Sequence, residues 1–517
     1  MKIVFGIQVS SAIIINPSVK NMINTIDQLL SQTGTSQMSP SAYDVAWIAR
    51  MNHISPELSN PALQWLAENQ LEDGCWGSKS PVYYHDRVIS TLSAMIALAR
   101  RGRRSHDKIQ IEKGLVALER ITSNATKGLM ADPNGATIGF EMIIPTLVGE
   151  AEQLGIIKQQ GERILGRLQK LRRIKLEKMA GYKISRNVTM AFSAEMAGLD
   201  NQNLLDIDNL QESNGSVGHS PSATAYFAKY VREGDEKAIN YLKKVVTPNG
   251  AAPNLFPFEV YEIAWVIWNL ALTETALDHQ EDYFGKFLDY LQTTWHPQKG
   301  IALSSGFTVP DGDNTCVTFD LLSRFGRNVD INGLLAFEQK DNFSCYELEA
   351  DLSSSVNIHA LSALHSAGYQ NNHPSIQKVI RFLGGRQTPD GYWFDKWHIS
   401  PYYTTSHAII IGLLYNADFI NKATNWILNT QRPDGSWGFY TPTVEETAYC
   451  VQALSIQKKH GRNISKDIIK KGADWIKKNQ EKPFELFWIG KGLYGGELII
   501  RSVIISALTL AEEIVEK

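Results

Sequence analysis

Several things are scarce in this chain, and each scarcity excludes something. Among 517 residues there are four cysteines, Cys75, Cys316, Cys345 and Cys450, and no two stand in a Cys-x-x-Cys pair. So few in so long a chain read as reduced, buried thiols of a cytoplasmic protein, not a disulfide framework. Charge of one sign is not in surplus. With 51 basic and 54 acidic side chains the formal net charge is −3, which excludes a nucleic-acid binder working through a broad basic surface. No run of about 18 apolar residues lies beyond the N-terminus, so no spanning helix is expected, although a peripheral membrane contact stays open. The opening stretch MKIVFGIQVSSAIIIN reads as an extension ahead of a natural start at Met22, the other reading being a weak signal peptide. Strand-like alternation is also scarce.

What is present is helical. Hydrophobic residues make up 43% of the chain, enough for sizeable cores, and the length suggests two or three domains. Val88–Arg100, Glu259–Leu272 and Glu446–Ile456 carry apolar residues at three-and-four spacing. A repeat recurs in LQWLAENQLEDGCWG (63–77), VIRFLGGRQTPDGYW (379–393) and ATNWILNTQRPDGSWG (423–438), with a degenerate copy in LQESNGSVG (210–218). Each is a helix with an apolar face, then Gln, then Gly-x-Trp. A Gly turn ends the helix, the Trp stacks back, and the Gln amide can bond free backbone groups of the next helix. Units of this kind tie helix pairs into a ring, so the fold expected is all-α, with two α-helical barrels.

The string PDGDNT (310–315) crowds Asp311, Asp313 and Asn314 into an apolar neighbourhood. Taken alone it reads either as a type I turn capping a helix that starts near Thr315 or as an acid site.

The Gln-to-Trp repeats resemble those of the triterpene cyclase and class II diterpene cyclase superfamily. SPSAYDVAWIAR (39–50), IGFEMIIP (138–145), GSVGHSPSATA (215–225), PNLFPFEVYEIAW (253–265), WHISPYYTTSHA (397–408) and LFWIGKGLYGGELIIRSVIISAL (486–508) resemble further segments of the diterpene side. The resemblance implies two barrels, called β and γ, with γ inserted after the first helix of β. It predicts residues 1–54 as an extension plus that first helix, 55–250 as γ and 251–517 as β, with no class I α domain. It also implies an enzyme that protonates a terminal alkene and keeps the substrate diphosphate. The absence of any Asp-Asp pair agrees, because class I synthases ionise the diphosphate through such a pair.

An isolated alkene is a poor base, so its acid must stay protonated, be supported after transfer, and be shielded from water. By the resemblance Asp313 is the donor, with Asp311 and Asn314 setting its surroundings. Asn314 departs from the commoner Asp and can donate an amide N–H. His359, 46 residues on, stands where the family places the acid's hydrogen-bond partner, and Asn357 is a weaker candidate. Aromatic faces stabilise a travelling carbocation without reacting with it. Trp265, Trp397, Tyr402 and Tyr403 are the expected cavity wall. Glu195 matches an acidic segment expected to hold Mg2+, and Lys229 is expected to meet the phosphates. The expected substrate is geranylgeranyl diphosphate, giving a bicyclic diphosphate of copalyl or halimadienyl type. Farnesyl diphosphate to drimenyl diphosphate is the alternative, ahead of a squalene–hopene type cyclase or a non-catalytic barrel scaffold. A downstream class I synthase or phosphatase is the expected consumer.

Overall fold

The computed structural model describes residues 17–515 except 102–103, 124–128, 159–164, 167, 179–180, 279, 348 and 350. The apolar stretch 1–16, and both readings of it, lie outside the described residues. The one sheet among the described residues is a short hairpin, Trp488–Ile489 paired with Leu493–Tyr494.

Six helices form a closed ring: Glu259–Leu270, Gly312–Arg324, Ser354–Ser366, Pro401–Gly412, Val444–Lys459 and Glu497–Val515. Each touches the next and the last returns to the first. A helix so placed has neighbours on every side. All twelve residues of Pro401–Gly412 are buried, and its sequence is apolar or small and polar all round. The outer helices bury a single stripe. In Lys466–Asn479 the buried residues are Ile469, Gly472, Ala473 and Ile476, at three-and-four spacing, with lysines elsewhere.

A second closed ring precedes it. It comprises Ala42–Ala49, Tyr84–Arg101, Phe140–Gln153, the 3-10 segment Thr189–Ala197 and Pro221–Tyr226. Its core runs from Ala42 to Ala252, whereas Pro17–Gln32 packs on Glu497–Val515 of the larger ring. This corrects the boundary expected at 54. Only the helix ending at Gln32 belongs with the larger barrel, and residues 42–54 already serve the inserted one. The reason is packing: all eight residues of Ala42–Ala49 are buried, because that helix lies inside the smaller ring.

The Gln-to-Trp repeats explain how helix pairs are joined. Gln70, Gln387 and Gln431 each donate Nε2 to the carbonyl four residues on (Gly74, Gly391, Gly435) and to a carbonyl of the following outer helix (Gln110, Phe419, Ile468). The indoles of Trp76, Trp393 and Trp437 donate back to carbonyls near the helix end, Leu66, Leu383 and Ile427, at 2.7–2.8 Å. All three lie in the last turn of their helix, and the indole bond adds to a backbone N–H already received by Leu66 (from Asn69) and Leu383 (from Gln387). Glycine is required at the turn on two grounds. At Gly435 φ is +95°, and an added Cβ would lie 2.5 Å from the Lys471 carbonyl oxygen. The degenerate copy keeps the turn, with Gln211 bonded to Gly215 and to Asp235, and Val217 takes the place of Trp.

Gly461 has φ +78° but open space around it, which separates the two grounds. Gly461→Ala should cost about 1 kcal/mol from the left-handed backbone alone. Gly435→Ala should cost roughly 2–4 kcal/mol, because the Lys471 carbonyl must also move. Denaturant midpoints of the two variants check this, and equal losses would remove the carbonyl contact from the explanation.

Candidate active site

Asp311 has extended backbone and caps the helix Gly312–Arg324. Its Oδ1 accepts from the Asn314 backbone N–H at 2.8 Å, and its Oδ2 from Asn314 Nδ2 at 2.7 Å. Capping and chemistry therefore coexist in one string. Burial pushes the Asp311 carboxyl up to about 7. The two Asn314 bonds pull it down and the neighbouring Asp313 pushes it up. Gly312 between them is needed because a Cβ there would meet the Ser344 carbonyl oxygen at 2.3 Å.

Asp313, in the first turn, points into the ring. Its Oδ1 lies 2.5 Å from His359 Nδ1, and Ser355 Oγ is 3.3 Å from its Oδ2. Its side chain keeps 12% of its surface open, against 2% for His359, so the acid and not its partner faces free space. His359 Nε2 meets His407 Nδ1 at 2.9 Å. Burial, and then the nearby His359 and His398 rings, hold His407 well below the ordinary imidazole value, so it is neutral. With the proton of neutral His407 on Nδ1, that N–H would donate to His359 Nε2 and His359 Nδ1–H to Asp313 Oδ1, an arrangement in which an Asp313 proton would sit on Oδ2.

A fixed scaffold surrounds the acid. Asp395 accepts from Ser353 Oγ, the backbone N–H groups of Ser354, Ser355 and Trp397, and Ser355 Oγ. It thus pins the start of the His359 helix. The Trp265 edge meets the His359 ring, with centroids 5.6 Å apart, and its indole donates to Tyr403 Oη at 3.2 Å. Trp268 stacks on His407 at 4.4 Å, Tyr261 lies 4.4 Å from Trp265, and Trp488 lies 5.0 Å from Tyr403.

Of the residues singled out from the sequence, Asp311, Asp313, Asn314, His359, Trp265 and Tyr403 come together. Trp397 is half-buried, bonded through its N–H to Asp395 and packed against Tyr346, at the edge of this group. Four others fall elsewhere. Tyr402 stacks on Trp426 of an outer helix at 4.5 Å. One residue along a helix turns a side chain by about 100°, so Tyr402 and Tyr403 cannot both face inward. Asn357 is spent on the backbone of Phe343 and Ser353. Glu195 is fully buried, and its Oε1 accepts from Lys491 Nζ at 2.6 Å, from Tyr43 and from Ser222. An ammonium ion already occupies the cation's place there, and no group of three or more metal-ligating side chains occurs among the described residues. Glu195 therefore does not fit a magnesium site. Lys229 Nζ bonds the Arg50 carbonyl, at the end of the smaller ring remote from Lys491.

His407, Ser355, Asp395, Tyr261, Trp268 and Trp488 were not anticipated. A signal for His407 existed. Asp313, His359 and His407 are 46 and 48 residues apart, which is the period of one helix pair.

Residues 342–449 match the squalene-hopene cyclase C-terminal domain family. The whole fold superposes on ent-copalyl diphosphate synthase from Streptomyces platensis with a TM-score of 0.77 at 25% identity, covering 96% of this chain and 100% of that one. Fold and site thus define a terpene cyclase built of paired helical barrels. The chain is 44% identical over 483 residues to the type B diterpene cyclase of Mycobacterium tuberculosis (strain ATCC 25618 / H37Rv), covering 92% of this chain and 96% of the relative. It is 29% identical over 408 residues to (+)-copalyl diphosphate synthase 3 of Marrubium vulgare, covering 76% of this chain and 50% of that plant protein. The chain belongs to the class II diterpene cyclase family.

The pH dependence of stability tests the Asp311 environment. Its folded value, about 7, lies above the ordinary 3.8. The folded state therefore binds its proton more tightly. The stability this contributes is complete below about pH 4 and is lost as pH rises towards 7. Asp311→Asn keeps a capping oxygen and removes the titration, so its stability should fall less steeply than wild type across that window. Equal slopes in denaturant titrations would contradict the assignment.

Proposed function

We propose that the chain converts geranylgeranyl diphosphate into a bicyclic labdane- or halimane-type diphosphate, with Asp313 as the proton donor. The observation that carries this reading is the Asp313–His359 contact at 2.5 Å on an acid that alone keeps open surface within its pair. A diterpene is a 20-carbon skeleton, and the relative at 44% identity is named a diterpene cyclase, which favours the 20-carbon diphosphate over farnesyl diphosphate.

Protonation begins at the terminal alkene. Asp313 gives its Oδ2 proton to the alkene carbon, and the π pair forms the new C–H bond. The charge left on the carboxylate is met by the His359 N–H and by the N-terminal dipole of its own helix. The cation formed is drawn along by attack of the next alkene. The faces of Trp265, Tyr261, Tyr403 and Trp488 stabilise it electrostatically while offering no nucleophilic lone pair at close range. The shielded site keeps bulk water from quenching it. Loss of a proton to a base ends the sequence, so the reaction is an isomerisation and the acid must be re-protonated each turn.

No step is assigned to magnesium, since Glu195 is committed to Lys491. The diphosphate survives in the product. A second enzyme that ionises or hydrolyses an allylic diphosphate is the class of reaction that consumes it.

Purified protein supplied separately with geranylgeranyl and farnesyl diphosphates, followed by dephosphorylation and mass spectrometry, tests the function. A bicyclic 20-carbon alcohol is expected. Asp313→Asn should lower turnover by about 10²–10⁴-fold, and no product from either substrate would sink the reading. His407→Phe should lower kcat by roughly tenfold with KM little changed, through loss of one buried hydrogen bond that fixes the His359 tautomer. Retained kcat in His407→Phe would leave His359 oriented by Asp313 alone.

A further inference from the structure

A second acid stands across the larger ring from Asp313. Asp313 is the second residue of its inner helix, Gly312–Arg324, and Glu445 is the second residue of Val444–Lys459. In the ring of six these two helices are three places apart, hence on opposite sides. Neighbouring inner helices start at one level. Ser355 Oγ, in a first turn, lies 3.3 Å from Asp313, and Ser400 Oγ, at a helix start, donates to Glu446 at 2.6 Å. Glu445 therefore faces the proton donor from the far side of the same end of the ring.

Its carboxylate is enclosed. The side chain is 3% open. Oε1 accepts from the Tyr449 hydroxyl at 3.0 Å and lies 3.2 Å from His398 Nε2. Oε2 is buried and has no partner among the described residues. The Ser400 backbone N–H lies 3.1 Å from His398 Nδ1. With that N–H donating to Nδ1, the ring proton is on Nε2 and His398 is neutral. Among the described residues no lysine or arginine comes within ion-pair distance of Glu445. A buried carboxylate held by neutral side-chain donors, with one oxygen unpaired, is costly unless an opposite charge arrives.

Both donors belong to the aromatic group beside the acid. His398 stacks on Tyr403 with centroids 4.8 Å apart and meets Trp488 edge-on at 4.9 Å, and Tyr449 lies 5.4 Å from Tyr403. Burial first, and then Glu445, hold the Tyr449 phenol well above its ordinary value, so the carboxylate's field reaches this layer of rings.

We propose that Glu445 is the counter-charge of the carbocation, acting through the layer of Tyr403, Tyr449 and Trp488 as positive charge moves away from Asp313 across the ring. This rests on the protonation-initiated cyclisation proposed above. Unit charges about 8 Å apart, at an effective dielectric of about 20, attract strongly enough to change a rate by roughly 30-fold. The rings supply the surface the cation touches, and the carboxylate behind them makes that surface more negative.

Glu445→Gln tests this, because it keeps the shape and an acceptor for Tyr449 and His398 while removing the charge. In the folded variant kcat with geranylgeranyl diphosphate should fall by about tenfold or more with KM little changed. Unchanged kcat overturns the proposal. A second readout needs no turnover, so it stands apart from the cyclisation reading. Calorimetric binding of N,N-dimethyldodecylamine, a cation at neutral pH, is compared with that of dodecanol, its neutral counterpart. Wild type should prefer the amine by about tenfold or more, and Glu445→Gln should lose most of that preference with dodecanol affinity unchanged. Equal affinities in wild type overturn the proposal without recourse to any variant. A preference kept in Glu445→Gln, or amine and alcohol weakened alike, overturns it as well, the last being the mark of a merely structural role.

Discussion

Lys491 has no exposed surface, and its ammonium group is neutralised by Glu195 from the other ring. A buried charge is tolerated only when its partner and its remaining donors are supplied. Here Ser220 and Ser222 take the other two N–H bonds at 2.7 Å. The two rings are thereby locked to one relative position. The turn carrying Lys491 has glycine on both sides because there is no room for a side chain. A Cβ at Gly490 would meet Asn254 Oδ1 at 2.0 Å, and one at Gly492 would meet Asp86 Oδ1 at 2.6 Å. Those same polar groups bond the turn's backbone, Asn254 to Lys491 N–H and Asp86 to Leu493 N–H. On the far side the hairpin delivers Trp488 to the aromatic group beside the acid. Docking of the rings and shaping of the acid's surroundings are one structural event.

The acid's own support comes from a different direction. Three successive inner helices contribute Asp313, His359 and His407 at one level of the ring, so their alignment depends on the helix pairs having equal pitch. That pitch is set on the outside by the repeats, whose Gln bonds each helix end to the next outer helix and whose Trp bonds back to the helix it follows. A loss of register at Trp393 or Trp437 would pass inward as a displacement of the imidazoles. A contact of 2.5 Å leaves little tolerance for it.

This division explains what could be read from the chain. Helices, the repeats and the DGDN string are local patterns, and each is legible within about 15 residues. His359 was reachable because the family resemblance supplied a spacing. His407 follows from the same period, yet in TTSHA it stands among small polar residues that are equally at home inside a helix ring. Glu195 and Lys229 were hard to place for a shared reason. A lone carboxylate or ammonium in a sequence shows its charge but not its partner. Lys491, distant in sequence, bonds Glu195, and Lys229, in the π-helical segment Phe227–Val231, bonds the Arg50 carbonyl. The domain boundary was misplaced because every residue of Ala42–Ala49 is buried, and a helix suited to burial on all sides fits the inside of either barrel.

Asn314 then takes on a definite meaning. An aspartate there would add a third carboxyl beside two that already repel one another. The added repulsion would have to be relieved by a further proton or a nearby cation. The amide instead donates Nδ2 to Asp311 at 2.7 Å while its backbone N–H fills the other oxygen. Both Asp311 oxygens therefore accept from one residue. The substitution separates the two acids by function. Asp311 starts the helix and sets the local charge, and Asp313, bonded through His359 and open on its other oxygen, is left free to meet an alkene.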